Sequence, residues 1–207
     1  MANMITSLRF MLLFLLVGMI YLAPAVWRLL DPLLLILIIA LDGLDGYVAR
    51  RRGESSLFGS VYDIAVDRIV ESTLWIVLAD VGLVPLWVAL LVIARGVLVD
   101  SIRGQAAAHG VGAFEMMRSP LGRFLVAGRF MRGLYGTIKA LAFAWILLFQ
   151  PVAELWPDWW ESRGGVVQAV TTVLVFAAVA LCLLRGVPVM VEFYRAEGQP
   201  RRVRATR

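Results

Sequence analysis

Asp42-Gly-Leu-Asp45-Gly46-Tyr-Val-Ala49-Arg50, then eight residues, then Gly59-Ser-Val-Tyr-Asp63-Ile-Ala-Val-Asp67, is the stretch from which the rest of the chain can be read. It sets four carboxylates in strongly apolar surroundings. At the centre of a membrane helix an ionised Asp costs roughly 2.5–3.5 kcal/mol by insertion scales, so such a cluster needs compensation from cations or protons. Divalent metal is the obvious candidate. Residues three or four apart on a helix share a face. Asp42 and Asp45 therefore share one face and Asp63 and Asp67 another, and the second stripe continues to Gly59 one turn before and Glu71 one turn after. Gly46 and Ala49 follow the first pair by one turn each, which borders the acidic face with almost no side chain and leaves room for a ligand against the backbone. The intervening Arg51-Arg52-Gly53-Glu54-Ser55-Ser56 is polar and short, as suits a hairpin that brings the carboxylates together at one membrane face.

Outside this stretch the composition is that of a membrane protein. The 207 residues are 61% hydrophobic and 17% charged, with mean hydropathy +0.83, which excludes an ordinary soluble domain. Apolar runs at 8–23, 32–49, 57–79, 84–102, 124–149 and 166–191 are each near the roughly 20 residues a bilayer requires. The fold expected is all-α, an integral membrane protein of six transmembrane helices, with one domain over 1–195 and a basic tail over 196–207.

Charge gives the orientation. Arg50-Arg51-Arg52, the stretch from Arg103 to Arg132, and the tail with Arg195, Arg201, Arg202, Arg204 and Arg207 all fall on one side of a six-span arrangement. By the positive-inside rule that side is the cytoplasm, which puts both termini and the acidic site there, in the cell membrane. The opposite loops carry Asp31, Asp80, Glu154, Asp158 and Glu161 against Arg28 and Arg163, with Trp156, Trp159 and Trp160 at the outer interface. The net charge of +5 then reflects topology and anionic lipid, and no nucleic-acid partner is expected. Ala23-Pro24-Ala25 resembles a signal-peptide cleavage site, but the first helix reads as part of the membrane domain. The lone Cys182 reads as inert packing, and His109, at a helix end, as solvated.

The eight positions Asp42, Asp45, Gly46, Ala49, Arg50, Gly59, Asp63 and Asp67 match the signature D-x2-D-G-x2-A-R-x8-G-x3-D-x3-D without a departure, and in this the chain resembles the CDP-alcohol phosphotransferases. Asn3-Met-Ile-Thr6-Ser-Leu-Arg9 looks like that family's first-helix opening, and weaker similarity runs from Arg95 to about Lys139. The resemblance implies a phospholipid-synthesising transferase. It would move a phosphatidyl group from CDP-diacylglycerol to the hydroxyl of a small polar alcohol, releasing CMP, and would form a homodimer. It implies two divalent ions, Mg2+ or Mn2+, held by Asp42, Asp45, Asp63 and Asp67, since paired ions about 3.5–4 Å apart clamp attacking and leaving oxygens. By the same resemblance Asp67 is the general base, while Gly46, Ala49, Arg50 and Gly59 line the CDP-lipid site, with the Arg50 fork on the diphosphate.

The acceptor is less sharply marked. Arg129, Arg132 and Lys139 recur along one face of the fifth span, which suits an acceptor carrying its own phosphate, although basic side chains near helix ends also snorkel to the interface. Arg103, Arg118 and Arg123 are further acceptor candidates. Ala94-Arg95-Gly96 with Ser101-Ile-Arg103 resembles phosphatidylglycerophosphate synthases, apart from Gly96 and Ile64, where those have Glu and Pro. Asp63-Ile-Ala-Val-Asp67-Arg68 with Glu71, and Arg118-Ser-Pro-Leu-Gly-Arg123, look closer to synthases using inositol phosphate. Glycerol 3-phosphate and inositol phosphate are both retained.

Three other readings compete. The carboxylates would serve as buried ion-pair partners of Arg50 and Arg68; the chain would be a small transporter using intramembrane Asp residues for cations or protons; or it would be an inactive structural relative. Transporters often carry paired repeats, and the acidic hairpin here has no counterpart in the second half. Glu71 fits either a partner of Arg68 or a group that orients Asp67.

Overall fold

The computed structural model describes residues 2–52, 57–108 and 119–197, and every regular element among them is helical. The first helix, α1 (Ala2–Leu22), is apolar from Phe10 to its end. It stops ahead of Pro24, because the residue before a proline is driven out of the helical region. A short α2 (Ala25–Arg28) leads to α3 (Asp31–Arg52). There Asp31 stands in the first turn, where a carboxylate complements the helix dipole, followed by Pro32 at a position that needs no amide hydrogen. Next comes α4 (Leu57–Asp80), closed by a turn in which Gly82 takes φ 77°, the left-handed region that glycine enters without penalty. Pro85 then precedes α5 (Leu86–Ala108).

After residue 119 the chain re-enters a helix through a capped turn. Ser119 accepts from the Gly122 amide at 3.0 Å and caps α6 (Pro120–Gly122), which runs into a π-helical turn over Arg123–Ala127. Gly128 breaks that turn before α7 (Arg129–Phe149), and α8 (Val152–Leu155) and α9 (Pro157–Glu197) complete the order. The expected spans fall on α1, α3, α4, α5, α7 and α9. Two boundaries differ. On the fifth expected span the regular helix, α7, begins at 129 rather than 124, because the chain turns at Gly128, and α9 runs over 157–197, well past both ends of its apolar stretch. By length and composition three described segments qualify as membrane-crossing: Met4–Leu22, Arg129–Leu155 and Pro157–Arg195.

The chain divides into two compact units, to both of which α5, α7 and α9 contribute. The first comprises Met1–Leu90 and Lys139–Phe176. In it α1 packs against both α3 and α4, and α2 against α8. Leu13 and Leu16 of α1, Leu35 and Ile38 of α3, and Leu74, Trp75 and Leu78 of α4 are all buried, with Trp75 set edge-on to Phe143. In a bilayer such burial counts through close packing, since lipid is as apolar as leucine. The same reason accounts for exposed Met11, Phe14, Leu33 and Ile36. Of the residues assigned to the outer side, Arg28 pairs with Glu154, and Asp80 accepts from the Tyr21 hydroxyl at 2.6 Å. Asp31 stands in the first turn of α3 and is fully buried.

The second unit comprises Leu91–Ile138 and Ala177–Arg207. Its core is Val99, Val126 and Val189, flanked by Ile102 and Leu125. Glu192 accepts from both the backbone amide and the hydroxyl of Ser119, at 3.1 and 2.6 Å, which ties α9 to the turn before α6. Arg95 lies across Gly186 so closely that a Cβ there would meet its Nε at 2.6 Å and its Cγ at 2.8 Å.

Candidate active site

Three of the four signature carboxylates come together in the first unit. Asp42 on α3 and Asp63 and Asp67 on α4 each offer an oxygen, and these oxygens lie within 4.8 Å of one another. Asp42 of the first acidic face meets Asp63 and Asp67 of the second through an intermediary, since α1 packs on both helices and its Arg9 holds all three side chains. The Arg9 guanidinium reaches Asp42 at 2.7 Å and Asp67 at 2.5 Å through Nη2, and Asp63 at 3.0 Å through Nη1. In every case the oxygen taken is Oδ1. The Arg9 side chain is 3% exposed, whereas those of Asp42, Asp63 and Asp67 are 41%, 39% and 48% exposed, so the cation backs the cluster from its buried side.

This donor set fits a divalent metal. Carboxylate oxygens are the ligands that hard cations such as Mg2+ and Mn2+ prefer, and the three side chains bring one such oxygen each to within 4.8 Å of the others. Asp45, Gly46, Ala49 and Arg50 lie on the last turns of α3, and their side chains fall outside the described residues. Gly59 stands in the first turn of α4 and Glu71 is on the same helix. For the alternative in which the carboxylates pair with Arg50 and Arg68, the Arg50 side chain lies outside the described residues. Arg68 Nη1 donates to Glu71 at 2.9 Å. Lys139, on α7, reaches the other Glu71 oxygen at 3.0 Å. Glu71 is therefore a buried bridge between two cations, one of them expected to serve the acceptor.

Of the other residues expected at the acceptor, Arg103 is on α5, and Arg129 and Arg132 are in the first turn of α7. Arg123 opens the π-helical turn. Arg118 and His109 lie outside the described residues, as do 53–56 and 198–207. Within the second unit Arg185 lies in the electrostatic field of Arg95, Arg103 and Arg132, and its guanidinium sits 5.5 Å from the centre of the Tyr135 ring. Arg95, in that group, is buried.

Sequence reasoning passed over Arg9, Arg95 and Arg185 as site residues. For Arg9 a signal existed, because a lone arginine seven residues into an apolar helix needs a buried partner. Arg95 stands in the stretch Ala94-Arg95-Gly96, which carries only a likeness to other sequences, and Arg185 stands outside every motif named above.

Comparison with known proteins identifies the family. Among curated proteins the chain is similar to "CDP-diacylglycerol--glycerol-3-phosphate 3-phosphatidyltransferase" of Treponema pallidum (strain Nichols), 29% identical over 153 residues. That alignment covers 72% of this chain and 64% of the relative, so the chain spans just under two thirds of the relative's length. Residues 1–160 match the family described as CDP-alcohol phosphatidyltransferase, a range that takes in Arg9, the whole signature on α3 and α4, and Glu71 with Lys139. The chain belongs to the CDP-alcohol phosphatidyltransferase family.

Proposed function

We propose that this protein is a metal-dependent phosphatidyltransferase, which moves a phosphatidyl group from CDP-diacylglycerol to the hydroxyl of a small, phosphorylated alcohol and releases CMP. The observation that carries the reading is the meeting of Asp42, Asp63 and Asp67 oxygens within 4.8 Å on the two signature helices. The curated relative's name gives glycerol 3-phosphate as its acceptor, and glycerol 3-phosphate is the first acceptor to test here, with inositol phosphate second.

The chemistry assigned to the residues is as follows. The acceptor oxygen attacks the phosphorus next to the diacylglycerol, the bond from that phosphorus to the CMP oxygen breaks, and CMP leaves with the electron pair. Asp67 takes the hydroxyl proton as the new bond forms, a task within reach of a carboxylate that needs only to share the proton in the transition state. Arg50 is proposed to hold the diphosphate through its two-pronged fork. Gly46, Ala49 and Gly59 are proposed to admit the nucleotide against the helix backbones. Asp42, Asp45, Asp63 and Asp67 would hold Mg2+ or Mn2+, proposed as two ions, which supply charge stabilisation for the phosphoryl oxygens. For the acceptor, Lys139 is proposed on the support of its ion pair with Glu71, and Arg103 and Arg132 on the support of their grouping with Arg185. Arg118 and Arg129 are proposed on the sequence alone.

The proposed setting is the cell membrane, with six spans, both termini and the acidic site on the cytoplasmic side, one membrane domain over 1–195 with a basic tail, and a homodimeric state. The experiment is CMP release by purified protein in detergent with CDP-diacylglycerol, Mg2+ or Mn2+, and a panel of alcohols and phospho-alcohols. Release that depends on one acceptor, and is lost in Asp67→Asn while CDP-lipid still binds, is the expected result. Release that survives removal of all divalent ions, or that persists in the variant, overturns the proposal.

A further inference from the structure

Arg9 is the least expected participant in the acidic site. It is 2% exposed, it stands on a helix outside the signature, and it reaches three carboxylates at 2.5–3.0 Å with the two ends of one guanidinium. Its own helix is fixed around it. Thr6, one turn earlier, is buried, and the Ser7 hydroxyl lies 3.1 Å from that of Tyr62 on α4. We propose that Arg9 is the built-in counter-ion of the metal centre, a positioning residue that gathers Asp42, Asp63 and Asp67 and whose charge is traded against that of the divalent metal. The inference rests on the metal-dependent reading above and adds to it a residue and a direction.

The direction follows from charge. Three carboxylates whose oxygens lie within 4.8 Å repel one another, and a buried guanidinium behind them offsets that repulsion. Divalent cations on the same carboxylates bring the cluster's charge towards zero. The attraction between Arg9 and the cluster is then largely lost, and repulsion between Arg9 and the metal takes its place. Arg9 therefore stabilises the metal-free protein more than the loaded one. By thermodynamic reciprocity, metal that weakens the hold of Arg9 is itself weakened by Arg9 to the same extent. The fork matters separately, because a single ammonium cannot reach all three side chains as a guanidinium does.

The test compares the full-length protein with Arg9→Gln and Arg9→Lys in detergent, using Mn2+ as the probe. Free Mn2+ is followed by its paramagnetic resonance signal, and melting temperature is taken with and without saturating Mn2+. The expected result for Arg9→Gln is a lower melting temperature without metal, a gap to the unaltered protein that closes when metal is added, and a half-saturating Mn2+ concentration lower by about tenfold, inside the usual range of coupling between sites. For Arg9→Lys, which keeps the charge, half-saturation stays within about threefold of the unaltered protein. A melting gap in Arg9→Gln that is the same with and without Mn2+ means a purely structural role and overturns the proposal. Unchanged or weaker Mn2+ binding in that variant overturns it as well. If Arg9→Gln does not accumulate, a tenfold loss of Mn2+ affinity in Arg9→Lys overturns it alone. No Mn2+ binding by the unaltered protein removes the metal reading and this inference together, a failure distinct from the others because it appears before any variant is examined.

Discussion

Glu71 shows how one buried carboxylate organises its neighbours. It is 7% exposed at the side chain and holds Arg68 at 2.9 Å and Lys139 at 3.0 Å, each through a different oxygen. Glu71→Gln would leave both cations facing a neutral amide, and a loss of about 1–3 kcal/mol in stability is expected, readable as a lowered melting temperature. Lys139→Ala tests function. It is expected to raise the acceptor KM by about tenfold, the worth of one charge-assisted hydrogen bond, with little change in the CDP-lipid KM. Equal loss for both substrates, together with a lowered melting temperature, would make Lys139 a folding residue held by Glu71. At this scale the carboxylates were legible because their spacing is local, within 26 positions of one another. The partner they take was not, because Arg9 and Asp63 are 54 residues apart and only packing of α1 on α4 joins them.

Among the elements, the turn from Arg123 to Gly128 is where sequence and structure part. The apolar run over 124–149 reads as one continuous helix, yet the chain takes a π-helical turn at Arg123–Ala127 and restarts at Arg129. A run of apolar residues carries no mark for one extra residue per turn, and the cap at Ser119 is fixed by Glu192 from a distant helix. Gly128 makes the break possible. A Cβ on it would lie 2.2 Å from the Phe124 carbonyl oxygen, an overlap with backbone that no side-chain rotation relieves. Gly128→Ala is expected to cost about 1–3 kcal/mol, as overpacking does. Gly133, inside α7, has open space where its Cβ would stand. Gly133→Ala should leave the melting temperature unchanged or raise it slightly, since alanine is favoured over glycine in a helix by about 0.5–1 kcal/mol. Similar losses in both variants would mean that the turn at Gly128 is no tighter than the helix that follows it.

At the scale of the molecule, six long helices among the described residues occupy the six apolar runs, while three described segments are apolar enough by composition to count as membrane-crossing. The runs on α3, α4 and α5 carry charged residues that lower their mean hydropathy. The proposed orientation has a direct check in a Cys182→Ser background. A cysteine introduced by Glu161→Cys should react with a membrane-impermeant maleimide in intact cells, and one introduced by Arg204→Cys only after lysis. The reverse pattern would invert the topology. The sequence by itself determined the helical class, the membrane setting and the identity of the acidic cluster, because apolar length, charge asymmetry and the three-and-four spacing of the carboxylates are properties of neighbours along the chain. Tertiary structure decided which cation stands behind the cluster, what Glu71 and Lys139 do for each other, and where the fifth helix breaks. Each of these depends on side chains tens of residues apart meeting at about 3 Å, and no local pattern encodes that distance.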